Sequence, residues 1–333
     1  MPKCGSQITL CDLPVRFDTY QGCTHNCKYC FTYRKYDIER IKTGEGVKSL
    51  TSFIEGKRTI ETNWCDWDIP LHWGGLSDPF QPIERRLKNS LECLKVFNKT
   101  NYPFVVSTKN SLIAEKEYLN YIIESNCVVQ FSAVCEKYDK FETGATPYKE
   151  RIEAAQKIAK YKRIIIRVQP YMIEVFRDVL SSLDLYAKNK FYGIVLEGIK
   201  YFNKMPGLEK MGNDFVYPER ILKEQFGAIK DKAHRLGLKF YSGENRLRRM
   251  GDDLCCCGVD GMGWQTNKSN LNHYVAGEEL QYSKAMNEHG SGAVYGNNVQ
   301  ETTKGRVVAA MTYRNVIELL KKDKTQMKAL GVK

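Results

Sequence analysis

Seven short runs rich in β-branched and aromatic residues, at 14–20, 69–73, 103–107, 128–134, 164–168, 192–196 and 238–241, alternate with longer amphipathic stretches. Nearly continuous apolar runs of this length suit strands of a parallel sheet that is covered on both faces. Between them the helical pattern is plain. Leu87, Leu91, Leu94 and Phe97 follow Pro82, Ile152, Ala155 and Ile158 follow Pro147, and Ile221, Leu222, Phe226 and Ile229 follow Pro218. Proline suits the first turn of a helix, and a glycine such as Gly237 suits its end. Strand–helix units repeated in this way predict an α/β fold with right-handed crossovers. In such folds ligands bind at the C-terminal ends of the strands, so chemically suggestive residues are expected just after each run. Residues 251–300 are rich in Gly, Asn and Cys and lack periodicity, which predicts an ordered loop excursion. A last helix at 306–322 would carry Val307, Val308, Met311, Val316 and Leu319 on its apolar side. The expected division is a barrel at 1–242 and an extension at 243–333.

Composition removes several classes. Hydrophobic residues make up 42% and charged residues 27%, which is globular rather than disordered. No apolar run approaches the roughly 18 residues of a membrane span. The first residues lack the basic region and apolar stretch of a signal peptide, so a reducing cytoplasm is the expectation, in which the 12 cysteines bind metal or stay as thiols. Lys and Arg total 51 against 39 Asp and Glu, a net charge of +12. Residues 304–333 hold eight basic and two acidic residues, half of that excess. Such a tail is either a solvated face or a contact for a polyanion.

Directly after the first run stands GCTHNCKYCF, with Cys23, Cys27 and Cys30 at C-x3-C-x2-C spacing. Three thiolates so close in sequence can hold one compact iron–sulfur cluster. A cubane has four irons, so three protein ligands leave one iron open to an exogenous molecule. Zinc completed by His25 or Cys65 is the alternative, although a second CxxC knuckle is not found.

This spacing, with Tyr29 before the last cysteine, resembles the signature of the radical S-adenosylmethionine superfamily. The resemblance implies a partial (β/α)6 TIM-type barrel with an extra C-terminal strand, loop and helix. It also implies a 4Fe-4S cluster on Cys23, Cys27 and Cys30 whose open iron chelates the methionine part of S-adenosylmethionine. One electron, from a flavodoxin- or ferredoxin-type donor, would then release a 5′-deoxyadenosyl radical. The second run ends in HWGGLSDPFQP, where Gly74, Gly75, Ser77 and Asp78 become candidates for the cofactor's amino group. The stretch at 75–84 is similar to the spore photoproduct lyase-like (DNA repair photolyase-like) branch, and the similarity runs on through Ser107, Thr108 and Lys109 to Ser132 and to Glu150 and Arg151. By that resemblance Ser107, Ser132, Arg151 and Glu197 bind cofactor, Arg151 at its carboxylate and Glu197 at adenine or ribose. The plainer alternatives are a buried serine, a helix charge and a structurally paired carboxylate.

One position departs from the pattern. Gly75 stands where the lyase carries its hydrogen-donating thiol, which argues for base modification as well as repair. Cys255, Cys256 and Cys257 follow the last run and offer a substitute, with Cys256 or Cys257 as hydrogen donor; otherwise they pack as small hydrophobes. An auxiliary cluster would need Cys4, Cys11 or Cys65. Arg246, Arg248, Arg249 and Lys268, with Lys321, Lys322 and Lys324 in the tail, are candidates for phosphate contacts. The expected activity is hydrogen abstraction from a nucleic-acid base or nucleotide, a pyrimidine in DNA being favoured. The rivals are a radical maturase of a peptide or small molecule and a non-catalytic zinc-binding nucleic-acid module.

Overall fold

The computed structural model describes residues 1–4, 8–34, 40–65, 68–212, 214–290 and 311–332. Eight strands form one sheet: β1 (Lys3–Cys4), β2 (Val15–Phe17), β3 (Leu71–Trp73), β4 (Phe104–Thr108), β5 (Cys127–Ser132), β6 (Ile164–Tyr171), β7 (Gly193–Gly198) and β8 (Lys239–Ser242). They lie side by side in chain order. β1 runs antiparallel to β2, and every later pairing is parallel. Each of the seven predicted runs holds one of β2–β8.

Side chains alternate across a strand, and here the alternation sorts the core into two parts. Phe104, Val106, Val129, Phe131, Ile166, Ile194, Leu196 and Phe240 join the outer core beneath the helices. Their neighbours Val105, Val128, Ile165, Val195 and Tyr241 form a separate inner cluster with Leu13, Cys255, Cys257 and Val259. The segment after β8 thus returns into the concave side of the sheet.

The helices differ from expectation in two places. A short helix Glu84–Leu87 ends at Lys88, whose φ is +55°, and a second begins at Asn89. The break exists because the buried Glu84 carboxylate accepts Ser90 N–H at 2.9 Å and Leu91 N–H at 3.0 Å, capping the new helix. Leu91, Leu94 and Phe97 are buried as predicted, whereas Leu87 is 36% exposed. In place of one last helix there are two, Tyr313–Leu320 and Lys324–Ala329; in the first, Thr312 accepts Asn315 N–H and the buried side is Tyr313, Val316, Ile317 and Leu320. Leu319 is 37% exposed, and Val307 and Val308 lie outside the described residues. No helix among the described residues is long and apolar enough to cross a membrane.

The Asn-rich excursion holds the N-terminal segment in place. Asn267 Nδ2 donates to Ile8 O and Cys11 O, Asn272 Nδ2 donates to Leu10 O at 2.7 Å, and Asn270 Nδ2 donates to Asp12 Oδ1 at 3.0 Å. His273 completes this latch, its Nε2 being 2.9 Å from Asp12 and its Nδ1 2.6 Å from Glu278. Burial alone would lower the His273 pKa, but the two carboxylates outweigh it and raise it to about 9. A raised folded pKa stabilises fully below the unfolded value and is lost as pH climbs through the folded one. Unfolding free energy should therefore drop by about 2 kcal/mol between roughly pH 6.5 and pH 9.5, a figure discounted for the exposure of Glu278. Denaturant titrations across that range check this. His273→Gln should flatten the slope, and an equally steep slope in that variant would assign it elsewhere.

Candidate active site

The three cysteines sit on a loop that begins past the C-terminal end of β2. Backbone and amide bonds grip it from two sides. Gln81 Oε1 accepts Thr24 N–H at 2.9 Å and Gln81 Nε2 donates to Gly22 O at 3.1 Å. On the other side Lys28 N–H donates to Phe141 O and Gly144 N–H donates to His25 O, both at 2.9 Å. A Cβ at Gly144 would stand 2.1 Å from Thr24 O, so only glycine allows this approach. Cys27 is buried, and Cys23 and Cys30 are half-buried. Burial pushes the Cys23 and Cys27 thiols up to about 12, so both are neutral until a cation stands beside them. Among the described residues no three Cys, His, Asp or Glu side chains converge on the position of one metal ion. Ligands of a four-iron cluster stand further apart than those of a single ion, and a set of three cysteines suits it in number and kind. On the chemistry of its donors the loop fits such a cluster.

Behind the loop lies a buried charged network. Asp78 accepts from Thr108 Oγ1 at 2.8 Å, Lys109 N–H at 2.6 Å and Phe80 N–H at 2.8 Å, and its other neighbour is His25 Nδ1 at 3.5 Å. Burial lowers the His25 pKa, so this imidazole is neutral. Lys109 Nζ reaches Ser132 Oγ and stands 3.1 Å from Glu142. Arg151 is 1% exposed and donates to Ser132 O at 2.7 Å, Asp139 at 3.1 Å and Glu142 at 2.5 Å. Tyr29, from the cysteine loop, donates to the same Glu142. Arg151 was expected at the cofactor carboxylate. Its terminal nitrogens are bound to Ser132 O, Asp139 and Glu142, and its Nε is buried without a partner. Ser77 Oγ donates to Tyr20 O, and Ser77 N–H and Leu76 N–H donate to Asp18. Gly74 has φ +88°, and a Cβ there would meet Ser107 O at 2.5 Å; a Cβ at Gly75 would meet Arg16 Cδ at 2.8 Å.

Inside the sheet a polar ladder crosses five strands. His72 Nε2 is 3.0 Å from Ser107 Oγ, which donates to Gln130 Oε1 at 3.0 Å. Arg167 donates to that same oxygen at 3.1 Å and to Gln169, which in turn donates to Glu197 at 2.7 Å. Lys200 Nζ closes the row 2.8 Å from Glu197. Burial, with Arg167 and Arg16 adding to it, lowers the His72 pKa to about 3. Burial would raise Glu197, but Lys200 and Arg167 outweigh it and hold its carboxyl below the usual range. Of this ladder only Ser107 and Glu197 were expected. His72, Gln130, Arg167 and Gln169 had a signal in the sequence: each interrupts an otherwise apolar strand at an inward position.

The three adjacent cysteines part company. Cys255 and Cys257 are buried in the inner apolar cluster, and Gln130 Nε2 donates to Cys257 O at 3.2 Å. Cys256 is half-buried and within electrostatic reach of Arg248, Arg167 and Cys11. Cys4 lies beside Trp64 and Cys65 instead, so Cys4, Cys11 and Cys65 do not gather at one place. The basic residues divide as well. Arg246 is buried against Glu244 and Glu209, both at 3.1 Å, which leaves it unable to serve as an exposed phosphate contact. Arg248 is 5% exposed and faces inward. Arg249, Lys268, Lys322 and Lys324 are exposed; Lys321 is bound to Glu318 at 2.7 Å and lies over the Tyr274 ring.

No family model matches the sequence, and no curated protein matches it. Solved structures match its fold. Spore photoproduct lyase complexed with dinucleoside spore photoproduct superposes with a TM-score of 0.56 at 14% identity, over 69% of this chain and 77% of that one. A variant of that lyase with bound AdoMet and the same dinucleoside gives 0.56 at 14% identity, over 69% and 76%. SuiB from Streptococcus suis, bound to its precursor peptide SuiA, gives 0.54 at 11% identity, over 95% of this chain and 74% of that one. The chain thus has a mixed α/β fold with a mostly parallel eight-stranded sheet, similar to that of spore photoproduct lyase and SuiB.

Proposed function

We propose that this protein is a radical S-adenosylmethionine enzyme that abstracts hydrogen from a nucleic-acid base or nucleotide. One observation carries the reading: a loop bearing Cys23, Cys27 and Cys30 stands at the C-terminal edge of a barrel-like sheet whose interior is polar toward that edge. A 4Fe-4S cluster on these cysteines, reduced by an external one-electron donor, would cleave S-adenosylmethionine and supply the radical. The chain's own residues then hold the cofactor. Gly74 and Gly75 allow its amino group close to the backbone, Ser132 and Lys109 offer a hydroxyl and a cation near the loop, and Glu197 accepts from ribose hydroxyls. Cys256, half-buried where Cys255 and Cys257 are buried, is the candidate to return hydrogen.

A base or nucleotide is supported by the net charge of +12, by the exposed Arg249, Lys268, Lys322 and Lys324, and by the likeness to a lyase crystallised with a dinucleoside. A peptide is the second reading, favoured by the 95% coverage in the match to SuiB with its precursor peptide. Anaerobically reconstituted protein should form 5′-deoxyadenosine with dithionite, and a UV-irradiated thymine oligonucleotide should raise the yield and be altered. DNA affinity should fall steeply with salt. Stimulation by peptides and by no nucleotide would turn the assignment to the second reading. In Cys256→Ala, cofactor cleavage should persist while product formation falls about tenfold or more, the span of one positioned proton or hydrogen donor. Normal product from that variant would leave Cys256 a packing role.

A further inference from the structure

The cations inside the sheet exceed the acceptors the protein supplies. The side chain of Arg16, on β2, makes no hydrogen bond with a described residue, and its Nε is buried without a partner, while Asp18 lies within its electrostatic reach. Asp18, the nearest carboxylate along the strand, is occupied by Leu76 and Ser77 N–H. Arg248 binds Gly243 O at 3.3 Å and Asn245 Oδ1 at 2.9 Å through one nitrogen and also meets the Cys256 side chain, while its Nε is buried and unpartnered. Arg167 has one terminal nitrogen 3.8 Å from Glu197, a carboxylate already bonded to Lys200 and Gln169. Glu197 therefore answers several cations at once, and Asp18, which attracts Arg16, is already bonded to two backbone N–H groups. A buried guanidinium nitrogen without an acceptor is unfavourable, and a fold retains it where a ligand supplies that acceptor.

The three arginines lie along one polar row. Arg16 pairs in register with His72, the chain His72–Ser107–Gln130 leads to Arg167, and Arg248 donates to Gly243 O, beside the Glu197 that stands 3.8 Å from Arg167. Below them the interior is filled by Val105, Val128, Ile165, Val195 and Tyr241, so this row lies toward the cysteine loop rather than the opposite end. Gly75 belongs to the same wall, since a side chain there would strike Arg16.

We infer that Arg16, Arg167 and Arg248 form an anion subsite for the phosphate of the nucleotide whose base is processed. This rests on the nucleotide reading above. A planar carboxylate saturates one guanidinium fork, whereas a tetrahedral phosphate presents oxygens to donors arriving from several strands. The subsite is internal, apart from the exposed lysines of the C-terminal helices, so it selects the nucleotide that enters the barrel.

The test is calorimetric binding to the cluster-loaded protein with S-adenosylmethionine present. Thymidine 5′-monophosphate should bind at least about tenfold tighter than thymidine, the size expected for one hydrogen bond to a charged group. Inorganic phosphate should compete with the monophosphate and leave thymidine binding unchanged. Arg16→Gln and Arg248→Gln should each remove about tenfold of the preference for the monophosphate. Without ligand, Arg16→Gln should still melt cooperatively, so that a lost preference for the monophosphate is not a loss of the fold. If the phosphodiester-linked dinucleotide binds more tightly than the monophosphate and loses that advantage in the variants, the phosphate is one within a strand, and the subsite stands. Equal affinity for thymidine and its monophosphate, or an unchanged preference in both variants, overturns it. Absence of iron or of cofactor cleavage in the unaltered protein would overturn the parent reading instead, and iron content reports that independently.

Discussion

Replacing Cys23, Cys27 or Cys30 by alanine should abolish cofactor cleavage, taking 5′-deoxyadenosine formation to background, while the fold survives. The two expectations have separate physical origins. Three thiolates are the minimum that holds a cubane with one iron open, and Cys23, Cys27 and Cys30 are the three that share one loop. The loop itself is held by other groups. Gln81 grips Thr24 and Gly22, and Phe141 O and Gly144 N–H bind the opposite side, so no thiol carries the loop's conformation. Cys27 is the one buried member, and losing its sulfur should cost about 1 kcal/mol, far less than a domain's stability. Each variant should therefore keep its circular dichroism and melt cooperatively while retaining little iron and sulfide after anaerobic reconstitution. Cleavage of S-adenosylmethionine by any of the three would refute the assignment of the cluster.

The strands could be read from sequence because a parallel sheet covered on both faces demands unbroken apolar runs, and seven such runs exist. The helix break at Lys88 could not be read. It depends on Glu84, a charged residue that looks solvent-exposed in a pattern and is buried against Tyr20, Tyr118 and two backbone N–H groups. Arg246 fails for the same reason: its partner Glu209 lies on a distant strand pair that no local pattern announces. The cysteine loop was visible because its chemistry is contiguous in sequence. The polar ladder was not, since His72, Gln130, Arg167 and Gln169 come from three strands and meet only through sheet register. Single polar residues inside apolar strands were the usable signal, and their common inward orientation follows from the two-residue period.

Glu142→Ala should destabilise the protein by about 3–5 kcal/mol, the usual result of breaking a buried ion pair from one side. Glu142 is 2% exposed and receives Arg151, Lys109 and the Tyr29 hydroxyl. Burial raises its pKa and Arg151 opposes that shift, so the carboxylate depends on this partner for its charge. Removing it leaves Arg151 inside the protein with Ser132 O and only the partly exposed Asp139 as a counter-ion. Lys109 loses its closest carboxylate at the same time. The site is affected through the same carboxylate, because it receives the Tyr29 hydroxyl from the cysteine loop and holds the two cations beside Ser132. Glu142→Gln keeps the shape and one acceptor and should cost less. The pair Glu142→Leu with Arg151→Met separates stability from function, since a buried ion pair exchanged for apolar side chains of similar volume is often neutral in stability. That double variant should regain most of the lost denaturant midpoint, yet bind S-adenosylmethionine more weakly, because Ser132 and Lys109 no longer have their fixed partners. A Glu142→Ala midpoint equal to that of the unaltered protein would mean that water reaches Arg151 freely. Full cofactor affinity in the double variant would show that the network serves the fold alone.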